Sequence, residues 1–300
     1  MSASSSRVRR PSFLPGFPVI SLLIGAVFWG LLWWPLKFFA QIGLTSNLIG
    51  IIAYTMVAIV AIPILWLQRK AWCNEWMLLL LIGLFFAMAN MSFNAALMNG
   101  EVVRVMLLFY LLPAWGAVGG VLVLGERLSK QRSVAIGASL LGVFVIMGVG
   151  NVAWNFSIAD LMALTAGFCL SAAGVVNKLA IRIPMASRSF IPFIFSPLLA
   201  AVAHDFSPAP MPEMSSMAWL LLAAFAFIWI LGATIFTTIG VTHIEASRAS
   251  ILQVTELFVA IISAIVIGGE NLEMKEYVGG ILIVTATLLE VFDTDASNAA

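Results

Sequence analysis

The chain has 300 residues, 62% of them apolar, with 15 basic and 14 acidic side chains and a net charge of +1. A water-facing surface needs about a quarter of its residues charged, so soluble enzymes, secreted domains and disordered proteins are excluded. The near-neutral balance supplies no field for a polyanion and argues against nucleic acid as a partner. A mean hydropathy of +1.07 points instead to a polytopic membrane protein whose solvent is the lipid bilayer.

A helix crosses a hydrocarbon core with about 20 mainly apolar residues. Windows of that kind predict ten spans, at about 19–40, 47–68, 76–98, 102–124, 133–150, 158–181, 187–204, 217–242, 248–268 and 276–292. The apolar runs are continuous rather than alternating, which selects helices over a barrel. Turn chemistry separates them at 43–47, at Gly125-Glu126 and at 207–212. The seventh span contains Pro192 and Pro197 and is expected to kink. Arg7, Arg9 and Arg10 precede a first run too long for a signal peptide, so that run is expected to remain a membrane helix.

The positive-inside bias fixes an expected orientation. Arg7, Arg9, Arg10, Arg69, Lys70, Arg127, Lys130, Arg132, Arg182, Arg188 and Arg248 fall on one side, against Lys37, Arg104 and Lys275 on the other. Both termini are therefore expected in the cytoplasm of a cell, or inner, membrane protein. Trp66, Trp72 and Trp76 mark the inner boundary, and Trp33, Trp34, Trp154 and Trp219 the outer one, as an aromatic belt would.

The chain repeats itself. The segment from Gly100 aligns without gaps to that from Ile244, placing Glu101, Arg104, Leu108, Gly125, Glu126 and Leu128 on Glu245, Arg248, Leu252, Gly269, Glu270 and Leu272. A nearby offset pairs Lys37 with Lys178. Five helices per half is an odd number, so equivalent elements fall at opposite faces. Such inverted repeats recur in secondary transporters because exchanging the shapes of the halves exchanges inward for outward access. The expected architecture is an all-α membrane protein of ten transmembrane helices in two inverted five-helix repeats. It comprises a cytoplasmic tail at 1–18, a first repeat at 19–150, an extracytoplasmic linker at 151–157, a second repeat at 158–292 and a cytoplasmic tail at 293–300.

Two five-helix halves, each with a Gly-Glu-x-Leu turn before its last helix, resemble the drug/metabolite transporter superfamily and its repeated EamA domain. Pro113 within YLLPAW and the stretch GERLSKQRSVAIGASLLGV carry the likeness in the first half. The second half departs from it, with Leu257 where proline is expected and Glu256 in place of an apolar residue. The EV…FYLLP stretch is most similar to amino-acid exporters of the YddG type. That resemblance implies export of aromatic and other neutral amino acids.

Polar side chains inside spans are costly and are functional candidates. Asn90 and Asn94, four residues apart on one helical face, offer donors and acceptors together for a substrate's amine and carboxylate, or they tie helices together. Tyr110, Gln253 and Thr255 lie at similar depth, which the resemblance places around a central cavity. Tyr54 reads as a packing or interfacial residue. Trp29, Trp33, Trp115 and Trp229 suit either an aromatic cavity wall or packing against lipid and helices. Lys37 and Lys178 either snorkel or attract a carboxylate at each mouth. Glu101–Arg104 and Glu245–Arg248 favour helix initiation as i,i+3 pairs. Gly125 and Gly269 read as helix stops, with Glu126 and Glu270 available to cap the next helix. Pro113 is the expected hinge. Glu256 is a mid-span carboxylate and the candidate for proton coupling, unless it merely bonds Gln253.

Cys73 and Cys169 form no disulfide framework, and His204 and His243 are too scattered for a metal cluster, so no metal or other cofactor is expected. With no nucleophile–base set and no phosphate-binding loop, an enzyme is not expected either. The sequence reading is therefore an alternating-access exporter of small zwitterionic metabolites, with amino acids as the substrate. Rivals are a carrier of lipophilic cations, a carrier of phosphorylated metabolites, and a channel or non-transporting scaffold.

Overall fold

The computed structural model describes residues 16–126, 129–147 and 156–298. Arg7, Arg9, Arg10, Arg127, Leu128 and Trp154, with most of the expected first tail and of the 151–157 linker, lie outside them. Among the described residues every regular element is helical. In the first half these are α1 (Phe17–Gly30), α2 (Trp33–Gln41), α3 (Ser46–Leu67), the short α4 (Arg69–Trp72), α5 (Trp76–Asn99), α6 (Val102–Phe109), α7 (Leu112–Leu124) and α8 (Lys130–Ile146). The second half holds α9 (Ile158–Leu179), α10 (Met185–Phe190), α11 (Pro192–Phe206), α12 (Ser216–Ala224), α13 (Leu231–His243), α14 (Ala246–Val266) and α15 (Met274–Asn298). A π-helical segment, Phe225–Ile230, joins α12 to α13.

Seven helical stretches are long and apolar enough to cross a membrane: Phe17–Gln41, Ser46–Leu67, Arg69–Asn99, Val102–Leu124, Ile158–Leu179, Met185–Phe206 and Ser216–His243. The remaining three expected spans fall in α8, α14 and α15. Of these, α8 has 17 residues, and the apolar stretch Ile251–Val266 of α14 is also short of that measure among the described residues.

Side-chain caps start several helices. Thr45 accepts the Leu48 N–H, Ser129 that of Arg132, Ser157 that of Asp160 and Ser215 that of Ala218. Each satisfies an amide that the first turn leaves without a helical partner.

Two spans expected to be continuous are broken. The first span divides at Leu31–Leu32, where the Leu32 N–H tightens onto the Trp29 carbonyl. The Phe28 carbonyl, four residues before Leu32, is taken by the Trp229 indole at 2.8 Å. The fourth span is not kinked at Pro113 but interrupted just before it, at Tyr110–Leu111, so that Pro113 opens α7. Proline favours that place because a first-turn N–H has no intrahelical acceptor, so its absence costs nothing. Its second-half counterpart, α14, carries Leu257 at the matching position and runs unbroken. The seventh span breaks at Ile191, directly before Pro192, and keeps Pro197 inside α11.

The halves are packed across one another rather than side by side. α9 lies along α5, α6 and α7, while α1 lies along α13 and α14 and α3 along α11. α6 is the centre of the core, with every residue buried except Arg104, which is half-buried. Close approach depends on glycine: a Cβ on Gly167 would stand 2.6 Å from the Phe109 carbonyl oxygen, and one on Gly240 2.6 Å from the Leu22 Cβ.

Candidate functional site

The two Gly-Glu turns have the same backbone. Gly125 and Gly269 each adopt φ +69°, a left-handed conformation that glycine enters without penalty. The Glu126 N–H then bonds the Gly120 carbonyl at 3.1 Å, and the Glu270 N–H bonds the Ala264 carbonyl at 3.1 Å. They are helix stops, but neither carboxylate is positioned as the sequence suggests. Glu270 reaches across to the other repeat and accepts the Val102 and Val103 N–H groups at 2.8 and 3.0 Å. It thereby caps α6, whose own N-cap residue, Glu101, makes no side-chain cap. Lys37 holds the same carboxylate at 3.2 Å. Glu126, past the C-terminal end of α7, binds Lys178 at 2.8 Å and Arg132 at 3.0 Å. The Lys178 hydrogen bond, with Arg132 assisting against partial burial, holds the Glu126 carboxyl below its ordinary range. The two turns thus sit at opposite ends of the α6–α7 span.

The Glu270 end carries a second bridge between the repeats. Arg104 of α6 reaches out of its own helix and grips Asp160 of α9 bidentately, Nε at 2.7 Å and Nη2 at 2.9 Å, with the carboxylate side chain 2% exposed. Asp160 also accepts the Ser157 N–H at 2.8 Å in a reciprocal capping box. Sequence reasoning paired Arg104 with Glu101 and passed over Asp160. The Ser157-x-x-Asp160 spacing was the available signal. Arg248, the repeat equivalent of Arg104, is exposed and among the described residues has no carboxylate partner.

Between the ends, four helices meet at the level of the breaks. Phe93 of α5 packs on Phe109, with ring centroids 4.4 Å apart. The next residue, Tyr110, donates its hydroxyl to the Gln253 backbone carbonyl of α14 at 3.3 Å. Three residues along α14, a Cβ on Gly30 would be 2.6 Å from the Glu256 carbonyl, so the α1 break abuts Glu256. The Glu256 carboxyl is half-buried and near enough to Tyr110 to act on it electrostatically. Among the described residues it forms no hydrogen bond or ion pair, with Gln253 or with any cation. Thr255 and the Gln253 side chain are likewise half-buried.

The other expected site residues divide. Asn94 is 1% exposed and donates to the Tyr54 hydroxyl at 3.0 Å, while the Tyr54 ring packs 5.8 Å from Phe193. Asn90, one turn away, is half-buried and makes no hydrogen bond among the described residues. Trp29 donates to Thr237 at 3.2 Å and Trp33, 4% exposed, to Ser263 at 2.9 Å; with Trp229 on Phe28 they tie the first span to α13, α14 and the π segment. The Trp115 ring stands edge-on to Phe168 at 5.7 Å, and its indole nitrogen is buried without an acceptor. Lys37 and Lys178 are occupied by Glu270 and Glu126. Among the described residues no three His, Cys, Asp or Glu side chains are grouped to hold a metal ion.

Comparison with known proteins gives this arrangement its relatives. A curated Streptomyces exfoliatus protein named "Protein RarD" is 30% identical over 163 residues, which is 50% of this chain and 48% of that protein, so the chain matches about half the length of that relative. A solved crystal structure shares the fold with a TM-score of 0.59 at 16% identity, over 91% of this chain and 95% of that one. The EamA-like transporter family matches twice, over residues 16–148 and 157–292, with one Gly-Glu turn in each copy. Through these two copies the chain belongs to the EamA-like transporter family, a membrane transporter family of the drug/metabolite transporter superfamily.

Proposed function

We propose that the chain is a secondary transporter of ten membrane helices, with both termini cytoplasmic, that exports small zwitterionic metabolites of the neutral amino-acid class by alternating access. The observation that carries the reading is Glu256, an unpaired carboxyl at the level where the first and fourth spans break, midway between two ion-paired ends. An ionised group in the middle of a span is costly and calls for a partner that none of the described residues provides. A substrate ammonium is such a partner, and a proton is another. Asn90, also without a protein partner, can present its amide N–H groups to a carboxylate. Asn94 serves by holding Tyr54, and Lys37 and Lys178 act at the ends rather than on the substrate. Tyr110, Gln253 and Trp115 form the walls, the indoles of Trp29, Trp33 and Trp229 tie the helices that carry them, and Pro113 is the hinge.

The lipophilic-cation reading draws on the same unpaired Glu256. Phosphorylated substrates are disfavoured, because both lysines near the ends are neutralised by glutamates.

Counterflow in proteoliposomes with a panel of amino acids, sugar nucleotides and cationic dyes tests the choice. Saturable exchange of neutral amino acids is expected. Asn90→Leu should weaken it by up to about a hundredfold, the cost of a lost buried hydrogen bond. Glu256→Gln should still exchange substrate yet no longer accumulate it under an imposed pH difference. Exchange of cationic dyes alone, or accumulation by Glu256→Gln equal to wild type, overturns the corresponding part.

A further inference from the structure

The Gly-Glu turns are equal in sequence and backbone but not in what their carboxylates do. Glu270 seats on two N–H groups that open α6. The repeat-equivalent target of Glu126 is the Ala246 and Ser247 N–H pair that opens α14. Glu126 is instead drawn away by Lys178 and Arg132, and the N-cap residue of α14, Glu245, makes no side-chain cap. Burial follows the same division. Arg104, in α6, is half-buried, whereas its repeat equivalent Arg248, in α14, is exposed. A carboxylate on a helix N-terminus is favourable through both the helix dipole and the unsatisfied amides, so each seat has a standing attraction for its glutamate.

We infer that Glu126 and Glu270 are paired latches that exchange roles. In the form seen here Glu270 seats on α6 while Lys178 and Arg132 keep Glu126 off α14; in the opposite form Glu126 seats on α14 and Glu270 leaves the α6 amides, keeping the ion pair with Lys37 that it already has. Each lysine pairs with the glutamate at its own end, Lys37 with Glu270 and Lys178 with Glu126, and so keeps that charge from being stranded in the low-dielectric interior when it is off its seat. The two glutamates are positioning residues, because neither touches a substrate in this scheme. The inference deepens the alternating-access reading and rests on it for its purpose. The geometry it builds on, two equal turns with unequal seats, stands without it.

The test uses the full chain in liposomes, with Cys73→Ser and Cys169→Ala removing the two native thiols. Single cysteines replace Val103 at one end or Arg248 at the other, and the rate of labelling by a water-soluble maleimide is measured. Glu270→Gln should raise the Val103→Cys rate about five- to tenfold, the equilibrium shift of a lost charged cap, and lower the Arg248→Cys rate. Glu126→Gln should move both rates the other way, and the double variant should return both to within about twofold of wild type, since equal losses on the two forms cancel. Val102→Pro deletes one of the two seated N–H groups at a position where helices accept proline, so it should act like Glu270→Gln even if that variant is poorly folded. Rates unmoved by Glu270→Gln and Val102→Pro, or moved the same way by Glu126→Gln and Glu270→Gln, overturn the latch. Counterflow by the wild type separates the two ideas: rates that shift in a protein exchanging no substrate remove the transport reading alone, and exchange without a shift removes the latch alone.

Discussion

Asp160→Asn should be among the most damaging isosteric changes in the chain. The carboxylate accepts three hydrogen bonds, two from the Arg104 guanidinium and one from the Ser157 N–H, with its side chain 2% exposed and that of Arg104 11% exposed. The amide keeps one acceptor oxygen, enough for the Ser157 N–H. It turns a donor toward Arg104 and leaves the guanidinium paired by at most one neutral bond. A charge-assisted hydrogen bond contributes about 1.5–3 kcal/mol, so losing most of a bidentate pair costs about 3 kcal/mol. That is about 150-fold in the unfolding equilibrium, or roughly 6–12 °C in melting temperature for a chain of this size. Ser157→Ala removes only the cap and should cost about 1 kcal/mol. Thermal unfolding in detergent, followed by tryptophan fluorescence, gives the comparison. A double-mutant cycle with Arg104→Gln then isolates the pair, because each single variant strands a partner that the double variant does not. A melting temperature for Asp160→Asn equal to that of Ser157→Ala, with no coupling in the cycle, would show that the bridge between the repeats carries no stability.

Two further outcomes follow from the ends of the molecule. If both termini are cytoplasmic, as proposed, a cysteine at Ser157 should react with an impermeant thiol reagent in intact cells and one at Ser129 should not; equal or reversed labelling refutes the orientation. The carboxyl of Glu126 titrates below its ordinary range because of Lys178 and Arg132, so its contribution to stability is present above about pH 4.5 and is lost as the pH falls through the lowered value. The stability difference between wild type and Glu126→Gln should accordingly be seen at pH 6–7 and be lost only as the pH falls below about 4.5; a difference independent of pH would place the effect in packing.

The helical class, the duplication and the two helix stops were legible because each has a local cause: long apolar runs, charged positions in register, and glycines that the chain needs at φ +69°. What the stops deliver was not legible. The Glu270 carboxylate binds amides 168 residues earlier in the chain, and no local pattern marks a contact of that range. The same holds for Arg104, whose nearby Glu101 suggested an intrahelical pair while Asp160 lay 56 residues away. Pro113 announced the break in the fourth span, but the first span breaks at Leu31–Leu32, where the Phe28 carbonyl is taken by the Trp229 indole, a partner that belongs to another helix. Asn90 and Asn94 share a helical face by spacing, yet that face is divided between Tyr54 on one turn and unfilled hydrogen-bonding capacity on the next. Hydropathy cannot tell a tryptophan that lines space from one that donates across an interface, and Trp33 and Trp229 do the latter.

The proline at 113 and the leucine at 257 have a thermodynamic consequence. Two identical halves related by a twofold axis would make any pair of mirror conformations degenerate in energy. Here the degeneracy is lifted covalently. Bending the α6–α7 junction ruptures no ladder bond at Pro113, which has no hydrogen to give, whereas the same bend in α14 must break at least one intact bond at Leu257. At about 1 kcal/mol for such a bond, the two mirror conformations of the proposed alternating-access cycle would differ roughly fivefold in population before any ligand arrives. In such a cycle one ring closure would contribute to the resting preference of the duplicated chain, and Leu257→Pro would be the single replacement that cancels that contribution.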